Sequence, residues 1–413
     1  MPLVEALPGK LLSEIESARR ESDRLFKILK PEALYERPIA ERHRVVFYIG
    51  HLDSFDAIQI AREGMGRKSP NPTLDALFQA GIDPDSAHLP TDTLADWPSL
   101  NQTRDYVNQC RKRVDEVLDQ APEETVLMAL EHRQMHLETL AYMFHNFKYE
   151  LKNCFSATLC NDAGTSTSPT NEWRDIPAGE AVLGLREDGR FGWDNEFGQI
   201  RRHVPAFRIQ CYKVTNGDYL RFVQEGAAMP HFWIRRNGRI FYRGMFEEIS
   251  LPLDWPVYVS QQEAADYAKW IGTRLPTEEE FHRAAYGTQQ ESARKYPWGE
   301  EPPAWRHGNF DFKRWDPESV TSTPDGDSAF GVSQLVGNGW EWTSTVFGPF
   351  PGFRSRASYP GYSANFFDGE HNVMKGGSAR TAARLLRPSF RNWFRRDYPY
   401  MYAGFRCVDS SAA

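Results

Sequence analysis

Apolar and polar residues follow a helical period over roughly the first 150 residues of the chain. Four segments carry apolar side chains at steps of three and four residues, which places them on one face of an α-helix: 11–29, 41–63, 99–120 and 123–147. Pro31 follows the first segment, and a loop with Pro70 and Pro72 follows the second. Ser99, directly after Pro98, is the expected cap of the third. The pattern predicts four amphipathic helices packed as a bundle.

The pattern changes after about residue 172, where Gly, Pro, Trp and Tyr become frequent and the apolar runs shorten. Only residues 260–272 and 276–287 have clear helical spacing. Thr277, with Glu280 three residues later, predicts a capping box at the start of the second of these helices. This composition is typical of an irregular α+β domain with many loops.

Domain organisation follows from this change of pattern. We predict a helical bundle over residues 1–160 and an α+β domain over residues 172–413. The small, turn-forming residues between them, over 161–171, are typical of a linker.

Composition excludes several classes of protein. The 413 residues contain 49 Lys and Arg against 56 Asp and Glu, and no basic run could track a phosphate backbone, so nucleic acid is not an expected partner. Apolar stretches such as residues 45–49 are far shorter than a membrane span, and MPLVEALPGK lacks the features of a signal peptide. We therefore expect a cytoplasmic protein that acts on small molecules; its oligomeric state does not follow from the sequence.

The cysteines argue against both a disulfide framework and a structural zinc site. There are five of them, an odd number, scattered along the chain without CxxC spacing: Cys110, Cys154, Cys160, Cys211 and Cys407. We expect them to be reduced thiols.

The segment EHRQMHLE contains the candidate chemistry of the bundle. His132 and His136 lie four residues apart, so on a helix their imidazoles lie on one face and can converge on one metal ion. His51, in the middle of the second predicted helix, could complete a three-histidine site, with His43 as a rival third ligand. Glu138 is about 200° round the helix from His136, which favours an indirect or surface role. Three ordinary core or surface histidines are the competing interpretation.

The second half carries an ordered set of motifs. These are VTN with Tyr219 and Phe222, RLPTE at 274–278, YPWG at 296–299, GNGWEWT at 337–343, GGS at 376–378, and GFR at 404–406. In this order they resemble the formylglycine-generating enzyme domain, a C-type-lectin-like fold. Together with a DinB-like four-helix bundle that carries HxxxH, nearly the whole chain resembles the sulfoxide synthases of ergothioneine biosynthesis and their relatives in ovothiol and selenoneine biosynthesis.

The resemblance implies a mononuclear nonheme Fe(II) enzyme with His51, His132 and His136 as the iron ligands and O2 as co-substrate. Such an enzyme joins the sulfur or selenium of a small donor to the imidazole of histidine or of its trimethylated betaine, hercynine. We expect attachment at C2 of hercynine. Three neutral imidazoles would leave the iron its full positive charge and open positions for both substrates.

The resemblance also implies residues of the second half that act on the substrates. The catalytic acid of the family is a tyrosine in the loop over 352–363, where Tyr359 and Tyr362 are both candidates. RNW at 391–393 matches a family signature, in which Asn392 would bind the betaine carboxylate and Trp393 would hold the trimethylammonium group by cation–π attraction.

Several positions depart from the family pattern. Phe394 and Tyr398 stand where the branch that uses γ-glutamylcysteine has an Asp and an Arg, and Met135 stands where it has a substrate-contacting Gln. The loop over 81–98 replaces one rich in Tyr and Arg, and Gly339 and Ala379 replace the usual Val and Trp. A donor with unpaired carboxylates would bind poorly here, so we expect cysteine or a selenosugar rather than γ-glutamylcysteine.

New donor contacts could come from charged residues near these departures, with solvated surface charge as the competing interpretation: Arg380, Arg395, Arg396 and Asp397. An ovothiol-type enzyme acting on histidine and a non-catalytic lectin-like binding protein are the alternative functions. A formylglycine-generating oxidase is disfavoured, because that chemistry needs a pair of cysteines and only Cys407 lies in the expected region.

Overall fold

The chain divides into two compact units, which we call the N-terminal unit, Met1–Ala157, and the C-terminal unit, Thr158–Ala413. The computed structural model describes residues 9–79, 89–153, 167–290 and 292–409. Most of the predicted linker, the first part of the loop over 81–98, and Cys154 and Cys160 lie outside the described residues. Cys110, Cys211 and Cys407 are buried free thiols.

Helices make up the N-terminal unit: α1 Gly9–Phe26, α2 Val45–Asp56, α3 Pro72–Phe78, α4 Leu100–Asp115 and α5 Glu123–His145. A π-helix, Ala57–Gly64, continues α2 without a break. The four predicted helices correspond to α1, α2 with its π-helical extension, α4 and α5, which confirms the predicted bundle. Ser99 caps α4 as expected, since its side chain accepts a hydrogen bond from the backbone N–H of Gln102.

The short helix α3 was not predicted from the sequence. It begins at Pro72 because the Asn71 side chain accepts the backbone N–H of Leu74, and proline fits the first turn, where its missing N–H is not needed. The last residue of α3, Phe78, packs against α2 at Gly50, where even a Cβ atom would lie 2.5 Å from the ring. Gly50 therefore permits the close approach of α3 to α2.

Two helices form the interior of this unit. Eleven of the twelve residues of α2 are buried, and α5 is buried over most of its length. A helix buried on all sides must bury its polar residues as well, and each of those then needs a partner. The histidines on α2 and α5 are therefore interior groups. None of the described helices combines the length and apolar composition that a bilayer crossing requires.

The C-terminal unit contains three helices, α6 Asn216–Gln224, α7 Gln261–Trp270 and α8 Glu278–Tyr286, among twelve short strands of the described residues. The helices α7 and α8 were predicted, and α8 has the expected capping box between Thr277 and Glu280. Helix α6, which is nine residues long, was not predicted from the sequence.

The strands are β1 Trp173–Ile176, β2 Gly179–Leu183, β3 Ile200–Val204, β4 Phe207–Gln210, β5 Trp233–Arg236, β6 Arg239–Arg243, β7 Glu248–Ser250, β8 Trp340–Val346, β9 His371–Lys375, β10 Asn392–Arg395, β11 Ala403–Gly404 and β12 Val408–Asp409. They form four small sheets, in the orders β1-β4-β12, β10-β9-β8-β11, β2-β3 and β5-β6-β7. The mixture of short strands, helices and loops confirms the predicted α+β class.

Strand β10 carries the predicted hercynine residues at the edge of its four-stranded sheet. It pairs antiparallel with β9, with Trp393 opposite Val373. Arg391, directly before the strand, is buried and donates from Nε and Nη2 to the two carboxylate oxygens of Glu278 on α8, at 3.1 Å each. This forked ion pair anchors the start of β10 in the core.

The backbone explains why glycine stands at position 339, where the family usually has Val. Its φ of +119° lies in the region that favours glycine, and an added Cβ would lie 2.7 Å from Cε1 of Tyr258. Glycine therefore fits both the backbone conformation and the close approach of Tyr258 at this position.

We expect Gly339→Val to lower the free energy of unfolding by about 1–3 kcal/mol or more, because a branched residue is strained at this φ and collides with Tyr258. Urea unfolding of the variant, followed by circular dichroism, measures this. Gly348→Val is the matched control, since a Cβ at Gly348 has open space. Equal unfolding midpoints for the two variants would contradict the backbone explanation.

Arg380 was interpreted either as a donor contact or as solvated surface charge, and the surface interpretation is wrong. Its side chain is fully buried, lies 3.9 Å from the ring centroid of Trp315, and donates from Nη1 to the backbone oxygen of Phe312 at 2.8 Å. Cation–π attraction and the backbone acceptor satisfy the charge inside the fold. Ala379 beside it is buried as well.

Candidate functional site

Three imidazoles meet in the interior of the N-terminal unit. His51 from α2 and His132 and His136 from α5 are all buried, and their candidate ligand nitrogens all lie within 4.8 Å of one another. Nε2 of His136 lies 3.2 Å from Nε2 of His51 and 3.2 Å from Nε2 of His132. Two helices thus bring three ring nitrogens to one point, as the spacing of the histidines suggested.

The orientation of His51 is set by α3. Its Nδ1 lies 2.6 Å from the backbone oxygen of Phe78, which can only accept a hydrogen bond, so Nδ1 carries the proton. Nε2 then has a free lone pair directed at the other two histidines. Metal-binding histidines commonly have this arrangement, with one nitrogen on a backbone carbonyl and the other available to the ion.

Electrostatics keep the three rings neutral. Burial lowers the pKa of His51 to about 4 and lowers the pKa of His132 and His136 well below the ordinary range, with neighbouring histidines and Arg133 adding to the effect. Only a neutral imidazole can donate a lone pair to a metal. The cluster therefore fits a divalent cation that accepts nitrogen ligands and keeps open positions.

The other candidates for this cluster lie elsewhere. His43 precedes α2 and packs its ring against Phe47, with 4.2 Å between the ring centroids. Glu138 is not among the clustered side chains, and since it is buried it has no surface role. Met135 lies half-buried on α5, one residue before His136.

A buried ion-pair network, which was not predicted from the sequence, lies next to the histidines. Arg133 directly follows His132 and is buried, with Nη2 2.7 Å from Oδ1 of Asp53 and 2.6 Å from Oδ2 of Asp56. Both aspartates lie on α2 with His51. The available signal was two aspartates in the strongly apolar helix α2, which must be paired if they are buried.

The C-terminal unit gathers aromatic side chains around Trp393. The ring of Trp393 stacks on Phe347, with centroids 4.2 Å apart, and meets Tyr362 edge-on at 5.4 Å. Tyr362 in turn stacks on Trp193 at 4.0 Å. Tyr359 lies farther out, 5.8 Å from Tyr362 and 6.5 Å from Trp193. The structure therefore brings together Tyr362 and Trp393, two residues that the sequence analysis selected separately.

A second contact holds the loop that carries Tyr362. Ser363 donates from Oγ to Oδ1 of Asp194 at 2.5 Å, and both side chains are buried. The adjacent residues Trp193 and Asp194 therefore contact the adjacent loop residues Tyr362 and Ser363. Neither Trp193 nor Asp194 was selected from the sequence, because no motif marks them.

The other selected residues of β10 and the turn after it lie apart from this cluster. Phe394, whose neighbours along the strand face the opposite side of the sheet, stacks on Tyr398 at 5.1 Å. Arg396 is exposed, and its Nε donates to Oε1 of Gln261 at 3.1 Å. Oδ1 of Asn392 accepts the backbone N–H of Trp393 at 2.9 Å.

The protein thus combines a helical unit that contains a buried three-histidine cluster with a loop-rich α+β unit. Residues 14–145 match the DinB superfamily, and residues 161–411 match the Sulfatase-modifying factor enzyme 1-like domain. The resemblance inferred from the motifs is thereby confirmed.

Relatives match both units together. The Hercynine oxygenase of Mycolicibacterium thermoresistibile is 31% identical over 405 residues, covering 88% of this chain and 86% of that protein. Ergothioneine biosynthesis protein 1 is 30% identical in Schizosaccharomyces pombe and 28% in Neurospora crassa, each match covering 92% of this chain. The chain spans about half the length of these two fungal relatives, 54% and 55%. The chain belongs to the Sulfatase-modifying factor enzyme 1-like family and, within it, to the group that includes hercynine oxygenases.

Proposed function

We propose that the protein is a nonheme Fe(II), O2-dependent enzyme that joins the sulfur or selenium of a small donor to the imidazole C2 of hercynine. The observation that carries this proposal is the cluster of three buried, neutral histidines, His51, His132 and His136, in a relative of hercynine oxygenases. Three neutral nitrogen donors suit an Fe(II) site that keeps open coordination positions. A closed structural site would need a fourth protein ligand.

Iron bound by these histidines would activate O2 and hold both substrates side by side. The chain's contribution is to keep the three imidazoles neutral and aligned in a dry interior, with His51 locked by the carbonyl of Phe78. Substrates held in this way react in an effectively intramolecular step.

The proposed reaction balances with one O2 per turnover. As the new bond forms, the donor loses the hydrogen of its thiol or selenol and hercynine loses the hydrogen at C2. If one oxygen atom stays on the sulfur or selenium, the other leaves as water with both hydrogens. If neither stays, both leave as hydrogen peroxide. The mass of the product distinguishes the two outcomes.

Cysteine or a selenosugar is the proposed donor. Phe394 and Tyr398, which stand in place of the charged pair of the γ-glutamylcysteine branch, stack on each other and offer no charge to a carboxylate. Leaving carboxylates of the donor unpaired would cost binding free energy. Arg396 donates a hydrogen bond to Gln261 and is exposed, and we propose its guanidinium group as a further contact of the donor.

For hercynine, we propose that Trp393 binds the trimethylammonium group and Asn392 the carboxylate. Trp393 lies in an aromatic cluster with Phe347 and Tyr362, and such faces attract cations. Met135 is the proposed contact on α5. For the catalytic acid, the contact of Tyr362 with Trp393 supports Tyr362 over Tyr359.

Replacing Trp393 with alanine is expected to raise the KM for hercynine roughly tenfold, because a cation–π contact contributes about 0.5–2 kcal/mol. Steady-state kinetics with hercynine and with histidine, which lacks the methyl groups, measures the effect. The KM for histidine should rise less than the KM for hercynine. An equal rise in KM for both substrates would show that Trp393 contributes only to packing.

We also propose the domain boundaries, with the helical bundle over 1–160, the linker over 161–171 and the α+β domain over 172–413. A cytoplasmic location is part of the same proposal. The buried thiols Cys110, Cys211 and Cys407 suit a reducing compartment.

The deciding experiment reconstitutes the protein anaerobically with Fe(II) and then admits O2 with hercynine and one donor at a time. The donors are cysteine, γ-glutamylcysteine and a selenosugar, and products are identified by mass spectrometry. An adduct of hercynine with cysteine or the selenosugar is expected. Absence of any adduct from the iron-loaded protein would refute the proposed reaction.

A further inference from the structure

Arg133 lies between the two histidines of α5 but points to a different set of partners. It donates from Nη2 to Asp53 at 2.7 Å and to Asp56 at 2.6 Å, and from Nε to Asp56 at 3.2 Å. Only 1% of its surface is exposed, so these contacts are made away from water. At such depth, a guanidinium group needs close and well-oriented acceptors.

The partners of Arg133 lie on the helix that supplies the third histidine. Asp53 and Asp56 are two and five residues after His51, and Asp56 is the last residue of α2 before the π-helix. The same two helices are therefore joined at two places, once by the histidine cluster and once by the ion pairs. Because Arg133 directly follows His132 and Asp53 lies two residues from His51, the ion pairs fix the distance and register between His51 and the histidines of α5.

Other helices brace this connection. Nη1 of Arg133 donates to Oγ of Ser22 on α1 at 3.0 Å. Arg111 on α4 contacts both oxygens of Asp53 at 3.0 Å and also binds Asp23 on α1. The network thus holds α1, α2, α4 and α5 together, and a rotation of α2 about its axis would break several charged contacts at once.

We propose that Arg133 is a positioning residue for the metal centre, which, through Asp53 and Asp56, sets the spacing of the three histidine Nε2 atoms. The proposal rests on the proposed metal site and adds a residue that touches neither the ion nor a substrate. A bound ion requires three nitrogens at fixed distances. Partners that hydrogen-bond to metal ligands commonly change metal affinity by about 10–100-fold, and Arg133 acts one contact farther out, on the helices that position those ligands.

Arg133→Lys tests the proposal with the charge kept constant. A lysine ammonium retains the positive charge beside the aspartates but is a point charge that cannot fork between Asp53, Asp56 and Ser22. The probe is Co(II), which accepts the same nitrogen ligands and reports its coordination through visible d–d absorption. In the full-length variant, we expect the Kd for Co(II) to rise at least about tenfold with altered d–d bands.

The matched control is Arg406→Lys in the C-terminal unit. Arg406 is equally buried and makes a similar forked pair, with Glu341 at 2.6 and 2.7 Å. We expect this control to bind Co(II) with the wild-type Kd and spectrum. Should Arg133→Lys lose its helical circular dichroism, Asp56→Asn decides, since it preserves size and is expected to weaken Co(II) binding too.

The possible outcomes distinguish the positioning role of Arg133 from the metal site itself. A folded Arg133→Lys protein with the wild-type Kd and d–d bands overturns the positioning role while leaving the metal site intact. If the wild type itself binds no Co(II), or if binding survives His132→Ala, the metal site is refuted and the positioning role with it. Weakened binding in Arg133→Lys but not in Arg406→Lys supports the proposal.

Discussion

Replacing His132 with alanine is expected to abolish iron binding and turnover together. His132 supplies one of three neutral nitrogens that converge within 4.8 Å, and two remaining imidazoles hold a labile divalent ion weakly. We expect metal affinity to fall by more than about 100-fold, since even indirect supports contribute 10–100-fold. Iron content per chain after reconstitution and desalting, measured by elemental analysis, gives the result without an activity assay.

His43→Ala is the matched control for this experiment. His43 was the rival ligand from the sequence, but its ring packs on Phe47 outside the cluster. The variant should retain one iron per chain. Iron loss in His43→Ala combined with normal iron in His132→Ala would reverse the ligand assignment, and normal iron in both would place the metal elsewhere.

Tyr362→Phe is expected to lower kcat by roughly 10²–10⁴-fold, the usual contribution of a positioned general acid, while leaving the KM for hercynine nearly unchanged. The substitution removes only the hydroxyl group, so the ring can still stack on Trp193 and contact Trp393. Steady-state kinetics under saturating O2 separates the two parameters. Iron content should equal that of the wild type.

Tyr359→Phe is the control, because Tyr359 belongs to the same loop and its ring lies 5.8 Å from that of Tyr362. We expect its kcat to stay within about threefold of the wild type, an ordinary change for a residue without a catalytic role. A large loss of kcat in Tyr359→Phe with little change in Tyr362→Phe would move the acid to Tyr359. Equal, small losses would remove both from the mechanism.

Local sequence signals predicted much of the fold. The four long helices of the N-terminal unit follow from apolar residues at helical spacing, and the caps at Ser99 and Thr277 follow from side chains that satisfy the first backbone N–H groups. Both signals depend on contacts within a few residues. The short helices α3 and α6 were not predicted; α3, with seven residues, contains too few turns to establish a period.

The site was only partly accessible from the sequence. The spacing of His132 and His136 on one helix follows from helical geometry, and the position of His51 in the second predicted helix made it a candidate that the resemblance then favoured over His43. Nothing in the sequence indicated that Phe78 would orient His51, or that Trp193 would stack on Tyr362. These contacts join residues distant in the chain, and no local pattern encodes them.

Local patterns in the sequence are thus enough to predict the two-unit organisation, the four long helices of the N-terminal unit and the chemical identity of the candidate ligands. The tertiary structure decided which of these residues meet: His51 with the pair on α5, and Arg133 with the aspartates of α2. The physical reason is that helix formation depends on neighbours three and four residues away, whereas convergence depends on how whole helices pack. Burial in that packing is also what makes the histidines neutral, and so able to bind a metal.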